Sequence, residues 1–515
     1  MGLIAAPALI GCLGPGRSWK EGDPFSLGVA AGCPSSDGFV LWTRLAPVPT
    51  AEDPAAPGGM TGGPVEIAYE IALDPEMRRI VRRGIGIAEP DFAYSVHVEV
   101  AGLAPGRPYW YRFTSGAAAS RVGRAITLPA PGAGVDRLRL AVASCANYEH
   151  GYFAAYRHMA DEAPDLAIFL GDYIYEHVDG RPGETVRRHS DGVEPTTLPT
   201  YRNRYTQYRL DADLQRLHAE VPALMTWDDH EVQNDYADAW SQTFDDPKQF
   251  LLRRAAAYQA YYEHMPLRPS WSLPAGPTMR VYDRFGFGSL AEITMLDGRQ
   301  YRSAQACYGP PDRGGAHLEN DENCPERRDP ARTLLGRAQE AWLYDGLARS
   351  TARWNVIAQD VMMAQFLQKD ADGSLGHWTD SWGGYPANRD RLLRHLSDAR
   401  VANPVVLSGD IHSFWANDLK LDFDDAGSPV VATELIVTSI SALPPPYEPF
   451  VELLPLNPHI RYFESRWRGF MTVDIAADLL TARFRAVSDA RDPRATVSTL
   501  AAFAIEDGRR GVVPA

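Results

Sequence analysis

The sequence predicts a two-part chain of the α/β class, in which a β-sandwich precedes a layered α/β unit. Three observations carry that expectation. From about residue 25 to 129, short apolar and polar alternations are broken repeatedly by Gly and Pro, the texture of a sandwich of short strands. A Pro/Gly/Ala stretch at 129–134 then interrupts the chain. Beyond it, short apolar runs alternate with amphipathic helical periods, as strands covered by helices require. The expected divisions are an apolar leader over 1–22, the sandwich over 23–130 and the α/β unit over 136–515.

Taken in order, residues 1–13 (MGLIAAPALIGCL) form the longest apolar run, short of the roughly 20 residues a spanning helix needs. Leu9-Ile10-Gly11-Cys12 resembles the end of a secretory core followed by a lipobox, which predicts export and makes Cys12 a candidate lipid anchor. The run lacks the usual positive charge at its start, so a plain apolar leader is the alternative. In the sandwich, the runs at 38–42, 65–71 and 95–100 alternate with period two. The stretch 103–113 reads either as a tyrosine corner or as an ordinary turn entering an aromatic strand. In the α/β unit, strands are expected at 138–143, 166–170, 223–227, 290–296, 354–358 and 404–408, and helices at 249–265, 333–349 and 388–400. Two long loops, 180–199 and 307–330, are expected to be functional or covalently stapled.

Composition narrows the function. The 515 residues are 45% hydrophobic and 23% charged, which excludes wholesale disorder. A net charge of −15 argues against nucleic acid as a partner, because phosphate backbones are gripped by clustered positive charge. An anionic substrate therefore needs a local offset. Five cysteines cannot all pair within one chain, so at least one is free, modified or a ligand.

The chemistry gathers at the ends of the expected strands: Ser144-Cys145-Ala146-Asn147, Gly171-Asp172-Tyr173-Ile174-Tyr175-Glu176, Asp228-Asp229-His230-Glu231 and Gly409-Asp410-Ile411-His412. Open α/β sheets place ligand sites at the carboxyl ends of strands, so residues distant in sequence should converge there. Any one Asp after a strand is ordinarily a cap or turn former. Four such ends together point to a metal site. Carboxylates suit hard divalent cations and thiolate or imidazole suits a transition metal, so one cation of each kind fits the set. Asp172 is the natural bridging carboxylate, and a cation pair would hold a phosphoryl oxygen while lowering the pKa of a bound water.

These motifs, with Leu296-Asp297-Gly298-Arg299-Gln300-Tyr301-Arg302-Ser303, Asp380-Ser381-Trp382-Gly383-Gly384-Tyr385-Pro386 and Val437-Thr438-Ser439-Ile440-Ser441, resemble the PhoD-type alkaline phosphatase/phosphodiesterase family of metallophosphoesterases. The resemblance runs from about Phe25 onward, with Gly28-Val29-Ala30-Ala31-Gly32 and Leu41-Trp42-Thr43-Arg44-Leu45 similar to the family's accessory domain. It implies a metallophosphoesterase-type α/β/β/α layering preceded by an immunoglobulin/fibronectin-like sandwich. It further implies that Cys145 and Tyr175 ligate Fe³⁺, that Asp172 bridges it to Ca²⁺, and that Asp229, Asp410 and His412 complete the ligand set. His230 resembles the family's phosphate-contacting His and is assigned as general acid or electrostatic stabiliser. Gly298, Gly383 and Cys33 depart from the family pattern at positions away from these ligands.

The expected activity is an exported metal-dependent phosphoester hydrolase acting on mono- or diesters by a metal-activated hydroxide. Phospholipid head groups are among the expected substrates, and a phospholipase D-like phosphodiesterase is an alternative. The location is extracytoplasmic, with membrane attachment only through Cys12, and the chain is expected to be a monomer. A non-catalytic phospho-ligand binder and a metal-free enzyme using Ser439 or Ser441 are the competing readings; no Gly-x-Ser-x-Gly elbow accompanies either serine. Arg299 and Arg302 either neutralise phosphate or form a buried salt-bridge network. Cys307 and Cys324 are expected to staple their loop, a bond that export permits.

Overall fold

The structure, a computed structural model, describes residues 19, 22–51, 53–178, 183–309, 315–370 and 372–515. Cys12 and nearly all of the leader lie outside the described residues. Among these residues, no helix is long and apolar enough to cross a membrane.

Two large sheets dominate. The first has ten strands, and at its centre Arg137–Ala143, Leu166–Leu170 and Ala223–Thr226 run parallel. The second has seven, with Ala291–Met295, Trp354–Ala358, Pro404–Ser408 and Val430–Ile436 parallel at its centre. The six strands expected in this part of the chain all form, within one or two residues of their expected ends. The three helices also form, as Pro247–His264, Arg337–Arg349 and Pro386–Asp398, with ends up to four residues from those expected. Pro247–His264 starts where Asp246 accepts the Lys248 N–H at 2.8 Å and Pro247 supplies a preset φ.

Side-chain alternation along the strands separates the cores. Leu138, Leu140 and Val142 pack between the two sheets against Ile293, Met295, Val356, Val405 and Leu407. The intervening Ala141 and Ala143 face the other way, into a cluster with residues of the helices Ala154–Asp161, Leu198–Arg209 and Pro247–His264. Ile357 and Val406 of the second sheet pack outward on Leu343, Leu347, Leu392 and Leu396 of two further helices. Small Ala on one face lets helices approach closely, whereas the large aliphatics fill the space between sheets.

The N-terminal segment does not stand apart. Its strands Val29–Gly32, Phe39–Arg44 and Ser95–Val100 extend the ten-stranded sheet, joined to Ala223–Thr226 through the single parallel pair Gly32–Ala223. A Cβ on Gly32 would lie 2.6 Å from the Pro266 carbonyl oxygen, so only glycine fits this seam. The remaining strands, Val65–Ala72, Ile80–Ala88, Arg107–Ser115, Ala118–Ala119 and Gly123–Thr127, form a separate five-stranded sheet. The two faces enclose Val29, Phe39, Leu41, Ile67, Tyr111 and Phe113. Trp42 Nε1 donates to the Glu263 carbonyl at 3.0 Å, and Arg44 Nη1 donates to Thr206 Oγ1 at 3.0 Å, fixing the segment to the helices behind it.

Cys307 and Cys324 are disulfide-bonded, as expected. The loop they close supplies Leu318–Glu319, which pairs with Leu375–Trp378 in a small three-stranded sheet beside the second large one.

Candidate active site at the strand ends

The strand ends do converge. Ser144 bridges Ser439 where the two sheets meet, and the Ile440 N–H donates to the Ser144 carbonyl at 2.9 Å. Around that junction Cys145, Asp172 and His412 present donor atoms within 4.8 Å of one another, as do Asp172, Asp229 and His230, and Asp228, Asp229 and Asp410. Tyr175 joins them: its hydroxyl donates to Asp172 Oδ2 at 2.8 Å and lies 2.9 Å from His412 Nε2. All seven residues expected at the site are therefore neighbours. Asp228, Asp235 and Asp380 stand in the same overlapping clusters, although Asp235 and Asp380 carried no chemistry in the sequence reading.

The backbone is strained at four of the seven expected residues. Cys145, Asp172, Asp410 and His412 all sit at positive φ, between 52° and 65°. Non-glycine residues persist there only where surrounding structure over-determines them, and such strain gathers at functional sites. Glu231 is one of the groups that hold it. Its carboxylate accepts the N–H groups of Asp172 (3.1 Å), Tyr173 (2.5 Å) and Asp228 (2.8 Å), locking two strand ends together. Gly171, at φ 100°, lets the chain pass Asp228 so closely that a Cβ would fall 2.4 Å from its backbone nitrogen. The Tyr208 hydroxyl likewise accepts the N–H groups of Tyr148 and Tyr175, both at 3.0 Å.

Burial sets the electrostatics. It pushes Asp172 and Asp228 well above the usual carboxylate range, although His230 and Arg299 respectively oppose the shift. Burial and the charge of Asp172 do the same to the Cys145 thiol and the Tyr175 hydroxyl. Asp410 rises to about 8 and Asp235 to about 7, through burial and then Asp380. For Asp229 burial is overcome by Arg299 and His230, which hold it below the usual range. The site thus concentrates acidic groups that resist ionising together, and Asp172 Oδ1 and Asp228 Oδ2 are buried without a hydrogen-bond partner.

The two histidines are oriented by their second nitrogens. His412 Nδ1 donates to the Leu443 carbonyl at 2.7 Å, which leaves the Nε2 lone pair facing Tyr175 and Asp172; burial lowers its pKa to about 4. His230 Nδ1 lies 2.6 Å from Glu176 Oε2, so Nε2 is turned toward the cavity. Burial disfavours charge on His230, but Glu176, Asp172 and Asp229 outweigh it and raise its pKa well above the usual imidazole value. Glu176 in turn is brought down to about 2 by His230, against the effect of its burial. Sequence reasoning included Glu176 in its strand-end segment but gave it no role, since nothing in its spacing pairs it with His230.

Arg299 and Arg302 resolve to the salt-bridge alternative. Arg299 Nε meets Asp228 Oδ1 and its Nη1 donates to Asp380 Oδ1 at 2.8 Å; Arg302 Nη1 reaches the same oxygen at 2.7 Å. Both guanidinium groups are fully buried behind the carboxylates. Ser439 and Ser441 are also fully buried, and their hydroxyls donate to the Ala442 and Asn147 carbonyls at 2.7 Å, which leaves neither placed as a nucleophile. In front of the cluster opens a cavity of about 460 Å³ bordered by Asp172, Asp229, His230, Asp410 and His412.

Comparison with known proteins gives a consistent result. A model of the PhoD-like phosphatase family matches residues 140–484, and one of the PhoD-like phosphatase N-terminal domain matches residues 11–129. Alkaline phosphatase D of Bacillus subtilis (strain 168) is 44% identical over 501 residues, covering 95% of this chain and 82% of that protein. A solved structure of PhoD superposes with a TM-score of 0.88 at 43% identity, covering 96% of this chain and 92% of the other.

Proposed function

From the premise that this chain belongs to the PhoD-like phosphatase family, hydrolases of phosphate ester bonds, we propose that it is an exported enzyme whose activity depends on two cations. The observation that carries metal dependence is the pair of buried, unpartnered carboxylate oxygens, Asp172 Oδ1 and Asp228 Oδ2, inside a cluster of thiol, phenol, imidazole and carboxylates. Cations supply the missing partners and relieve the crowding of acids that otherwise resist ionising. The residues fit such a pair. Cys145, Tyr175, Asp172 and His412 would hold Fe³⁺, and Asp172, Asp229 and Asp410 would hold Ca²⁺; Asp228 and Asp235 are further oxygen donors within reach. When bound, the cations supply neutralisation of the phosphoryl oxygens and acidify a water molecule.

The chain's own residues do the rest. Glu231 and Tyr208 fix the strand ends from which the donors project. Arg299 offsets the charge of Asp228 and Asp380 from behind, so the front face of the cluster stays free. Glu176 holds His230 protonated with Nε2 toward the cavity, from which it donates a proton to the departing alkoxide oxygen.

Four strand ends meeting where two sheets touch also support reading 136–515 as a catalytic unit of α/β/β/α metallophosphoesterase layering; the five-stranded sheet and the match of an N-terminal-domain model to residues 11–129 support an immunoglobulin/fibronectin-like sandwich at 23–130 whose second face continues the ten-stranded sheet. The Cys307–Cys324 disulfide supports an extracytoplasmic location, because such bonds persist in oxidising compartments. Phosphate monoesters and diesters, phospholipid head groups included, are the proposed substrates of a monomeric protein, with Cys12 as the one membrane attachment. The test compares a nitrophenyl monoester with the corresponding bis-ester at alkaline pH, with calcium supplied or chelated, alongside elemental analysis for iron and calcium. Inertness of the metal-loaded protein on both esters would overturn the proposal.

A further inference from the structure

We propose that the cavity selects phosphate esters whose organic part is apolar, with Trp378 a specificity-determining residue for that part; the inference rests on the phosphoesterase reading above. The cavity lining has two chemical characters. Besides the carboxylates and histidines it carries an apolar set, Met362, Phe366, Trp378, Leu443, Pro444 and Phe450, with Gln368 and Ser381 also in the lining. The apolar set comes from three separate places: the segment after Trp354–Ala358, the end of Leu375–Trp378 and the segment after Val430–Ile436 that includes the helix Tyr447–Val451. Three independent segments delivering apolar side chains to one reaction cavity make a recognition surface, since an ester's organic group has to lie somewhere beside its phosphorus.

Most of this set is braced. The Phe366 and Phe450 rings meet edge-on at 5.2 Å, and both pack on Trp415 from the core of the second sheet. Trp378 differs. It is 38% exposed at the rim, on the small sheet stapled by the disulfide, and an apolar group entering the cavity would cover it.

Charge points the same way. Among the described residues no Lys or Arg lines the cavity, and the nearby Arg299 and Arg302 are buried against Asp228 and Asp380. The positive groups proposed for the site, His230 and the cations, serve the phosphoryl group being hydrolysed; a second anionic group, placed among Met362, Phe366, Trp378 and Phe450, would meet no Lys or Arg. An alkyl or aryl group instead gains about fourfold in binding for each fully buried methylene.

The test measures inhibition of nitrophenyl ester hydrolysis by methyl-, butyl- and hexylphosphonate, and by a phosphonate whose chain ends in a carboxylate, using the full-length protein as purified with its metals. The expected result is a Ki falling at least tenfold from methyl to hexyl, with the carboxylate-ended inhibitor at least tenfold weaker than butylphosphonate. In Trp378→Ala the methyl-to-hexyl ratio drops below threefold, and Trp378→Phe restores most of it. A flat series in the native protein, an unchanged ratio in Trp378→Ala, or tight binding of the carboxylate-ended compound overturns the inference. Absence of hydrolysis altogether instead removes the phosphoesterase reading on which it rests.

Discussion

Asp172 is where the most constraints meet: positive φ, one oxygen bonded to Tyr175, the other buried and unpartnered, and an N–H held by Glu231. Asp172→Asn should therefore lower kcat/KM by about a thousandfold or more and release metal, because a weakened ligand shared by two cations loosens both. Elemental analysis beside the kinetics checks it; near-normal iron, calcium and turnover would take Asp172 out of the centre. Cys145→Ser should remove or strongly shift the thiolate-to-iron absorption of the iron-loaded protein, read by visible absorption; an unchanged spectrum would take Cys145 out of the iron site. Glu231→Ala strips the acceptor from three buried N–H groups, each costing about 1–3 kcal/mol when orphaned, so urea denaturation should register a loss of several kcal/mol. The ligand types were legible in the sequence because each closes an apolar strand. Glu176 and Glu231 were not, since what they hold is a neighbouring nitrogen and a set of backbone N–H groups, and neither contact has a spacing.

At the scale of elements, six strands around the site announced themselves by hydrophobicity, with ends readable to within a residue or two, whereas the later strands Phe414–Lys420, Val430–Ile436, Gly469–Ala476 and Leu479–Val487 were not read from the sequence. The small sheet of Leu318–Glu319, Leu367–Lys369 and Leu375–Trp378 was invisible. Its strands are two to four residues long, too short for any period to register, and its order comes in part from the Cys307–Cys324 bond. That bond closes a loop with a sequence separation of 17, for which chain entropy predicts about 3 kcal/mol of stabilisation. Replacing both cysteines by serine should lower Tm by several degrees and open the 307–324 segment to protease. Unchanged Tm and an uncut segment would mean that packing alone holds the small sheet.

Over the whole molecule, the notable difference from the sequence reading is the continuity of the first sheet. Period-two runs and a Pro/Gly linker read as a separate sandwich, yet one face of that segment lies in the same sheet as the catalytic strands. Nothing in the pattern of a strand says which edge it will join, and a seam resting on the single pair Gly32–Ala223 leaves no hydrophobic signature. The junction is also pH-sensitive. His97 stacks on Tyr262 at 4.3 Å and its Nε2 faces the Tyr262 and Met265 carbonyls at 3.0 and 2.9 Å, and burial brings its pKa down to about 4. A histidine kept neutral in the fold binds a proton only on unfolding, so its contribution is intact above the ordinary histidine pKa and fades as pH falls toward 4. Stability should drop by about 1 kcal/mol per pH unit in that window from this group, and His97→Gln should flatten that part of the pH–stability profile.

Trp42 hydrogen-bonds the carbonyl of Glu263, a partner 221 residues further along the chain. At a synthesis rate of about 5–20 residues per second, roughly 10–45 s separate the appearance of the two. The first strands of this protein leave the ribosome long before the helix that receives them, so the N-terminal segment must wait with Trp42 and Arg44 uncovered. In a growing chain the seam is a deferred contact between residues made far apart in time.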